Sequence, residues 1–121
     1  MVAIDRTPGL LLRLEGVVLA GAAIAVYLHL DYSILALIVL LIAVDLSLLG
    51  FLVGLRVGTL TYNLAHTTAL PLIVGAIGVL TDGSVLVQVA LAWLAHIGID
   101  RALGFGLKYP SGFNDSHLQR V

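Results

Sequence analysis

Five side chains of metal-ligating types interrupt the apolar stretches of this chain: Glu15, Asp45, His66, His96 and Asp100. An ionisable side chain at the centre of a bilayer costs about 3 kcal/mol even on the lowest insertion scale, so its presence there indicates a function. His96 and Asp100 are four residues apart, which places them on one face of a helix, and Tyr62 and His66 share that spacing. Two histidines with three carboxylates and no cysteine predict a divalent metal site for Zn²⁺, Mn²⁺ or Fe²⁺, with one or two ions.

The elements that must position these residues are four apolar stretches. The chain has 121 residues, of which 60% are hydrophobic and only 11% charged, more apolar surface than a soluble domain of this size can bury. The stretches cover residues 8–30, 33–55, 58–80 and 84–106, and each is long enough to cross a hydrocarbon core of ~30 Å. Because the connectors are short, we predict an all-α integral membrane four-helix bundle with up-down-up-down topology. Residues 1–108 form this domain, and residues 109–121 form a polar cytoplasmic tail.

The basic residues predict the orientation of the bundle. In the predicted topology, one side of the membrane or its half of the bilayer holds all six of them: Arg6, Arg13, Arg56, Arg101, Lys108 and Arg120. Lysine and arginine accumulate on the cytoplasmic side of membrane proteins, so both termini are predicted to be cytoplasmic. The formal net charge of −1 gives no indication of nucleic-acid binding.

Depth along the predicted helices brings the five ionisable residues to one level. With a rise of ~1.5 Å per residue, they lie roughly 9–15 Å from the cytoplasmic ends of their helices. Side chains at one level on neighbouring helices are how helix bundles build metal sites in their cores. We therefore expect the five to converge, and we expect Pro71 to kink the third predicted helix just beyond His66.

Longer strings of residues resemble a known family. These are DLSLLGFL from Asp45, YNLAH from Tyr62 followed by Pro71, AHIGIDRALGFGLKYP from Ala95, and the tail FNDSHLQRV from Phe113. Together they resemble a family of small bacterial four-helix membrane proteins that is known only as a domain of unknown function. The resemblance spans nearly the whole chain. It implies a multi-pass protein of the bacterial inner membrane and supplies no reaction.

The predicted site favours an intramembrane metal-dependent hydrolase acting on a lipid or amphiphile from a cytoplasm-facing cavity. In this hypothesis a metal held by His66, His96 and two or three of the carboxylates activates water, and a spare carboxylate, Glu15 or Asp45, is the general base. Tyr62 or Asn63 stabilises developing negative charge, and Arg101 binds a lipid phosphate. Di-metal oxidation of an acyl chain is a variant. Expected partners are membrane lipids, a small amphiphilic substrate and a second copy in a homodimer.

Two further classes of function fit the same residues. The first is a transporter that relays protons or divalent cations through Asp45, His66 and His96, although the outer half of the predicted bundle offers few polar groups for a relay. The second is a non-catalytic bundle, with haem between the two histidines or a polar cluster that only holds the helices together. In that structural interpretation Glu15 pairs with a nearby arginine and Asp100 pairs with Arg101 or Lys108.

Overall fold

The computed structural model of the protein describes residues 7–105, which form an all-helical structure. The elements in chain order are α1 (Thr7–His29), α2 (Ile34–Ala43), a 3₁₀ segment (Val44–Leu52), α3 (Leu55–His66), α4 (Ala69–Leu80) and α5 (Ser84–Ala102). The predicted all-α class is therefore confirmed. The predicted polar tail at 109–121 lies outside the described residues.

The surface of the helices is apolar enough for a membrane. In the described part of the chain, three spans are long and apolar enough to cross one: Thr7–His29, Ile34–Leu52 and Ser84–Ala102. A fourth is added if α3 and α4 count as one bent span. Large aliphatic side chains face outward, including Leu52, which is 84% exposed, and Leu80, which is 85% exposed. A soluble monomer rarely exposes apolar surface on this scale, so the structure suggests a membrane protein.

The closest helix crossing joins α1 to α5. A Cβ atom added at Gly98 would lie 2.6 Å from the Gly16 carbonyl oxygen and 2.6 Å from the Ala20 nitrogen. A Cβ atom added at Gly16 would lie 2.8 Å from the Ala102 nitrogen. Because residue 16 lies against residue 102 and residue 20 against residue 98, the two helices run antiparallel. The two glycines allow this backbone contact, as small residues do between membrane helices.

The third predicted helix is interrupted directly after His66. α3 and α4 meet at an angle of 43°, and Thr67 between them has an extended backbone with φ −81° and ψ 139°. Pro71 lies in the first turn of α4, where no intrahelical N–H bond is required. In a continuous helix its ring would collide with the carbonyl of Thr67, four residues earlier. The predicted kink is confirmed, and it is a full break.

The second predicted helix also changes geometry, at the level of Asp45. α2 ends at Ala43 and the chain continues as a 3₁₀ helix from Val44 to Leu52. The predicted connector between the second and third helices, at residues 56–57, was wrong by about one turn. In the structure α3 already begins at Leu55, and the connector is Val53–Gly54. Thr61 of α3 anchors the 3₁₀ segment, since its hydroxyl donates to the Ser47 carbonyl at 2.9 Å.

A small aromatic core lies where α1 ends. Tyr27 at the end of α1 is fully buried against Leu37 and Ala92. Its hydroxyl donates a 2.6 Å hydrogen bond to the Ser33 carbonyl, and the Ser33 side chain caps α2 by accepting from the Ala36 N–H. This core fixes the α1–α2 connector against the middle of α5.

Candidate metal centre

Four of the five predicted ligands converge between three elements. His66 is the last residue of α3, His96 and Asp100 lie one turn apart on α5, and Asp45 lies in the first turn of the 3₁₀ segment. One ligand atom from each residue lies within 4.8 Å of those of the other three. The predicted convergence of these four residues is therefore what the structure has.

Asp100 is the central carboxylate of the group. Its Oδ2 atom lies 3.0 Å from His66 Nε2 and 3.1 Å from His96 Nε2. Asp45 approaches from the other side, with Oδ1 at 3.2 Å from His96 Nε2. His66 and His96 side chains are 4% and 10% exposed, whereas Asp45 is 54% exposed. Three of the four side chains of the centre are thus shielded from solvent, and the fourth, Asp45, is exposed.

Backbone carbonyls determine which imidazole nitrogen faces the centre. His66 Nδ1 lies 2.8 Å from the Tyr62 carbonyl oxygen, and His96 Nδ1 lies 2.7 Å from the Leu41 carbonyl oxygen. A carbonyl can only accept a hydrogen bond, so each Nδ1 must carry the proton. In the neutral imidazole each Nε2 atom then presents a lone pair to the centre. A backbone partner of this kind on the other ring nitrogen is common for metal-ligating histidines.

The two Nε2 atoms are buried and meet no partner with hydrogen-bond geometry among residues 7–105. Each lies about a hydrogen-bond length from the Asp100 oxygen, but the geometry of the pair does not meet that of a hydrogen bond. A neutral Nε2 presents a lone pair that repels a nearby carboxylate, and buried polar atoms without a partner are costly. A proton on Nε2, which gives an imidazolium–carboxylate pair, satisfies both requirements, and so does a metal ion shared by these atoms.

The C-terminus of α3 adds to the preference for a cation. His66 ends that helix, where the last carbonyl groups give the negative end of the helix dipole.

Tyr62, one turn earlier, stacks on the His66 ring with centroids 3.8 Å apart and planes at 11°. This stacking holds the imidazole in the orientation that its backbone hydrogen bond requires.

The remaining predicted site residues lie at different distances from the centre. Tyr62 is buried on the ring of His66, and Asn63 is half-buried on the turn of α3 that precedes His66. The structure does not bring Glu15 into the four-residue group. Glu15 is exposed and lines a separate groove on α1 together with Arg101. The reason is geometric: α1 turns its glycine face towards α5, and Glu15, the neighbour of Gly16, points away from the contact.

Sequence reasoning missed the residues that support the centre. The Trp93 indole N–H donates to the Ala65 carbonyl, which ties α5 to the last turn of α3. A cavity of about 300 Å³ lies beside this contact, lined by residues that include Leu40, Val44, Ser47, Ala65 and Trp93. The one available signal was the position of Trp93, the single tryptophan of the chain, one turn before His96.

The fold and the centre define a class: an all-helical protein of membrane type with a His/Asp cluster suited to a metal ion. Within that class, a family model described as Domain of unknown function (DUF4260) matches residues 9–121. The chain therefore belongs to this family, and the predicted resemblance is confirmed. No curated protein and no solved structure matches the chain.

Proposed function

We propose that the protein is an intramembrane metal-dependent hydrolase acting on a lipid or another amphiphile. The observation that carries the proposal is the convergence of two buried imidazole Nε2 atoms on Asp100 Oδ2. Three protein ligands with an open fourth position are typical of catalytic zinc sites, whereas structural sites are closed. His66, His96 and Asp100 would hold the ion, and the nitrogen and carboxylate donors suit Zn²⁺, Mn²⁺ or Fe²⁺.

The chain's own residues have separate roles in this proposal. A bound divalent ion supplies an activated water at neutral pH. Asp45, exposed and adjacent to His96, accepts the proton of that water as general base. The Nδ1 hydrogen bonds of His66 and His96 keep both rings in the ligating tautomer. Tyr62 keeps the His66 ring in place by stacking.

The cavity beside Trp93 supports an apolar substrate. Its lining is aliphatic and aromatic except for Ser47, whose buried hydroxyl has no hydrogen-bond partner in the described residues. An acyl chain fits the aliphatic part of the cavity, and Val44 of the lining directly precedes Asp45. We propose that the scissile ester or amide bond enters the centre from this side, with Ser47 available to donate to a carbonyl.

The placement in the membrane is part of the same proposal. Counting α3 and α4 as one bent span gives four crossings in up-down-up-down order. The distribution of lysine and arginine supports cytoplasmic termini, and the family resemblance supports a bacterial inner membrane. In this orientation the metal centre lies in the cytoplasmic half, and the core around Tyr27 closes the other half.

Hydrolysis by metal-depleted and metal-reloaded protein tests the proposal. The detergent-purified protein is stripped with a chelator, reloaded with Zn²⁺, Mn²⁺ or Fe²⁺, and incubated with fluorogenic acyl esters and acyl amides of increasing chain length. We expect turnover only after reloading, and faster turnover with longer chains. Asp45→Asn is expected to retain most of the metal while losing turnover by about 100-fold or more. Stoichiometric metal without any turnover of either bond type would refute the hydrolase and leave metal binding intact.

A further inference from the structure

A second site of opposite charges lies on the outside of the α1–α5 pair. A groove of about 510 Å³ runs along α1, with Glu15 and Arg101 among its lining residues and Leu14, Val18, Leu19 and Ala22 forming apolar walls. None of these residues belongs to the metal centre. The groove is therefore separate from the centre of the proposed hydrolase.

The two charged side chains of the groove have no ion-pair partner within the described part of the chain. Glu15 and Arg101 form no ion pair with each other or with any other residue between positions 7 and 105. Glu15 is exposed on a helix long and apolar enough to cross a membrane. A carboxylate at such a position is costly without a partner, so a cationic partner from outside the described chain is expected.

The groove is polar at one end and apolar at the other. Gly16 lies against Arg101 and Ala102, which places Glu15 level with the last turn of α5 and eight residues into α1. Ala22 is seven residues further along α1, or ~10 Å deeper at the rise of a helix. A molecule lying in the groove thus meets a carboxylate and a guanidinium first and aliphatic side chains below them.

We propose that the groove binds a zwitterionic aminophospholipid of the surrounding bilayer. The phosphate accepts hydrogen bonds from the Arg101 guanidinium, which is suited to two parallel N–H···O contacts. The primary ammonium of the headgroup donates to the Glu15 carboxylate, and one acyl chain follows Leu14, Val18 and Ala22. An anionic lipid without an ammonium group satisfies Arg101 but leaves Glu15 facing a second negative charge. The groove is therefore selective for headgroups that carry both charges.

Lipid binding measured by native mass spectrometry tests this proposal. The full chain in detergent is titrated with dioleoylphosphatidylethanolamine and, separately, with dioleoylphosphatidylglycerol, which share acyl chains and differ in the ammonium group. The wild type is expected to bind the ethanolamine lipid about tenfold more tightly. Glu15→Gln should abolish that preference by weakening only the ethanolamine lipid. Arg101→Gln should weaken both lipids.

Arg56→Gln is the matched control, because Arg56 is an exposed arginine in the first turn of α3 and outside the groove. It should leave both affinities unchanged. Helix content by circular dichroism and metal content are measured on the same samples, so a failure of the metal centre is distinguished from a failure of the groove. A preference that survives Glu15→Gln would overturn the proposal. So would a wild-type dimer that dissociates in Glu15→Gln, because a second copy would then be the occupant.

Discussion

Asp100→Asn is expected to remove bound metal more completely than any other single substitution at the centre. Asp100 Oδ2 lies 3.0 Å from His66 Nε2 and 3.1 Å from His96 Nε2, so the charge of this carboxylate compensates both. Structural Zn²⁺ binds four-ligand sites with an apparent ~10–16 kcal/mol. If this binding free energy is divided equally among four ligands, each contributes ~2.5–4 kcal/mol, so the loss of one ligand weakens affinity roughly 100- to 1000-fold. Asp100→Asn should reach the upper end of that range.

The other three residues of the centre define an expected order. His66→Ala and His96→Ala each remove one shielded donor and should fall within the same range. Asp45→Asn should have the smallest effect, because within residues 7–105 the Asp45 carboxylate pairs with His96 alone, and Asp45 is 54% exposed. Inductively coupled plasma mass spectrometry of detergent-purified proteins, equilibrated against a graded metal buffer, gives the apparent affinities.

Two controls isolate the centre. His29→Ala removes an exposed histidine at the end of α1, and Asp82→Asn removes an exposed carboxylate in the α4–α5 connector; both should leave metal content unchanged. Trp93, whose indole donates to the residue before His66, reports binding independently, since Co²⁺ or Mn²⁺ at the centre should quench its fluorescence. A folded wild type that binds no metal, or histidine variants that each retain as much metal as the wild type, would refute the reasoning from the Nε2 atoms.

Gly98→Leu should destabilise the fold by about 1–3 kcal/mol or prevent folding, because its Cβ would lie 2.6 Å from the backbone of α1. Gly21→Leu is the control, since a Cβ there meets nothing within 4 Å. It should leave the melting temperature of the detergent-solubilised protein nearly unchanged. Equal melting temperatures for these two variants would contradict the assigned helix crossing. Trp93→Phe should lower stability by about 1–3 kcal/mol, because it leaves the Ala65 carbonyl without its indole donor, and should weaken metal binding by positioning His66 less firmly. Tyr27→Phe should cost about 1 kcal/mol by removing the hydrogen bond to the α1–α2 connector without changing metal content, as thermal unfolding and elemental analysis will show.

The convergence of the four ligands was predictable from sequence because it depends on helix geometry alone. His96 and Asp100 share a face at any helix length, and depth along a span is proportional to residue number. Those two regularities placed Asp45 and His66 at the level of the α5 pair before any contact was known. The break after His66 was also predictable, since a proline excludes a continuous hydrogen-bond ladder.

The direction in which Glu15 points could not be predicted by the same reasoning. Its depth matches that of the ligands, but the direction in which it points depends on which face of α1 meets α5. The contact is made by Gly16 and Gly98, and a glycine face in an apolar helix gives little periodic signal. The backbone acceptors of His66 and His96 were equally hidden, because every residue carries a carbonyl and only the packed structure selects those of Tyr62 and Leu41.

The 3₁₀ geometry of the segment that carries Asp45 has a consequence for metal selection in the cell. Hydrogen bonds between residues three apart are poorer than those of an α-helix, so the backbone beneath Asp45 deforms more easily than that beneath His96 and Asp100. As the proposed general base beside the ion, this carboxylate can therefore follow the position of a water on ions of different radius. Rigid cavities discriminate between metals by size, whereas an adaptable neighbour leaves the choice to metal availability. If the centre holds an ion as proposed, the identity of that ion should follow the metal supply of the growth medium.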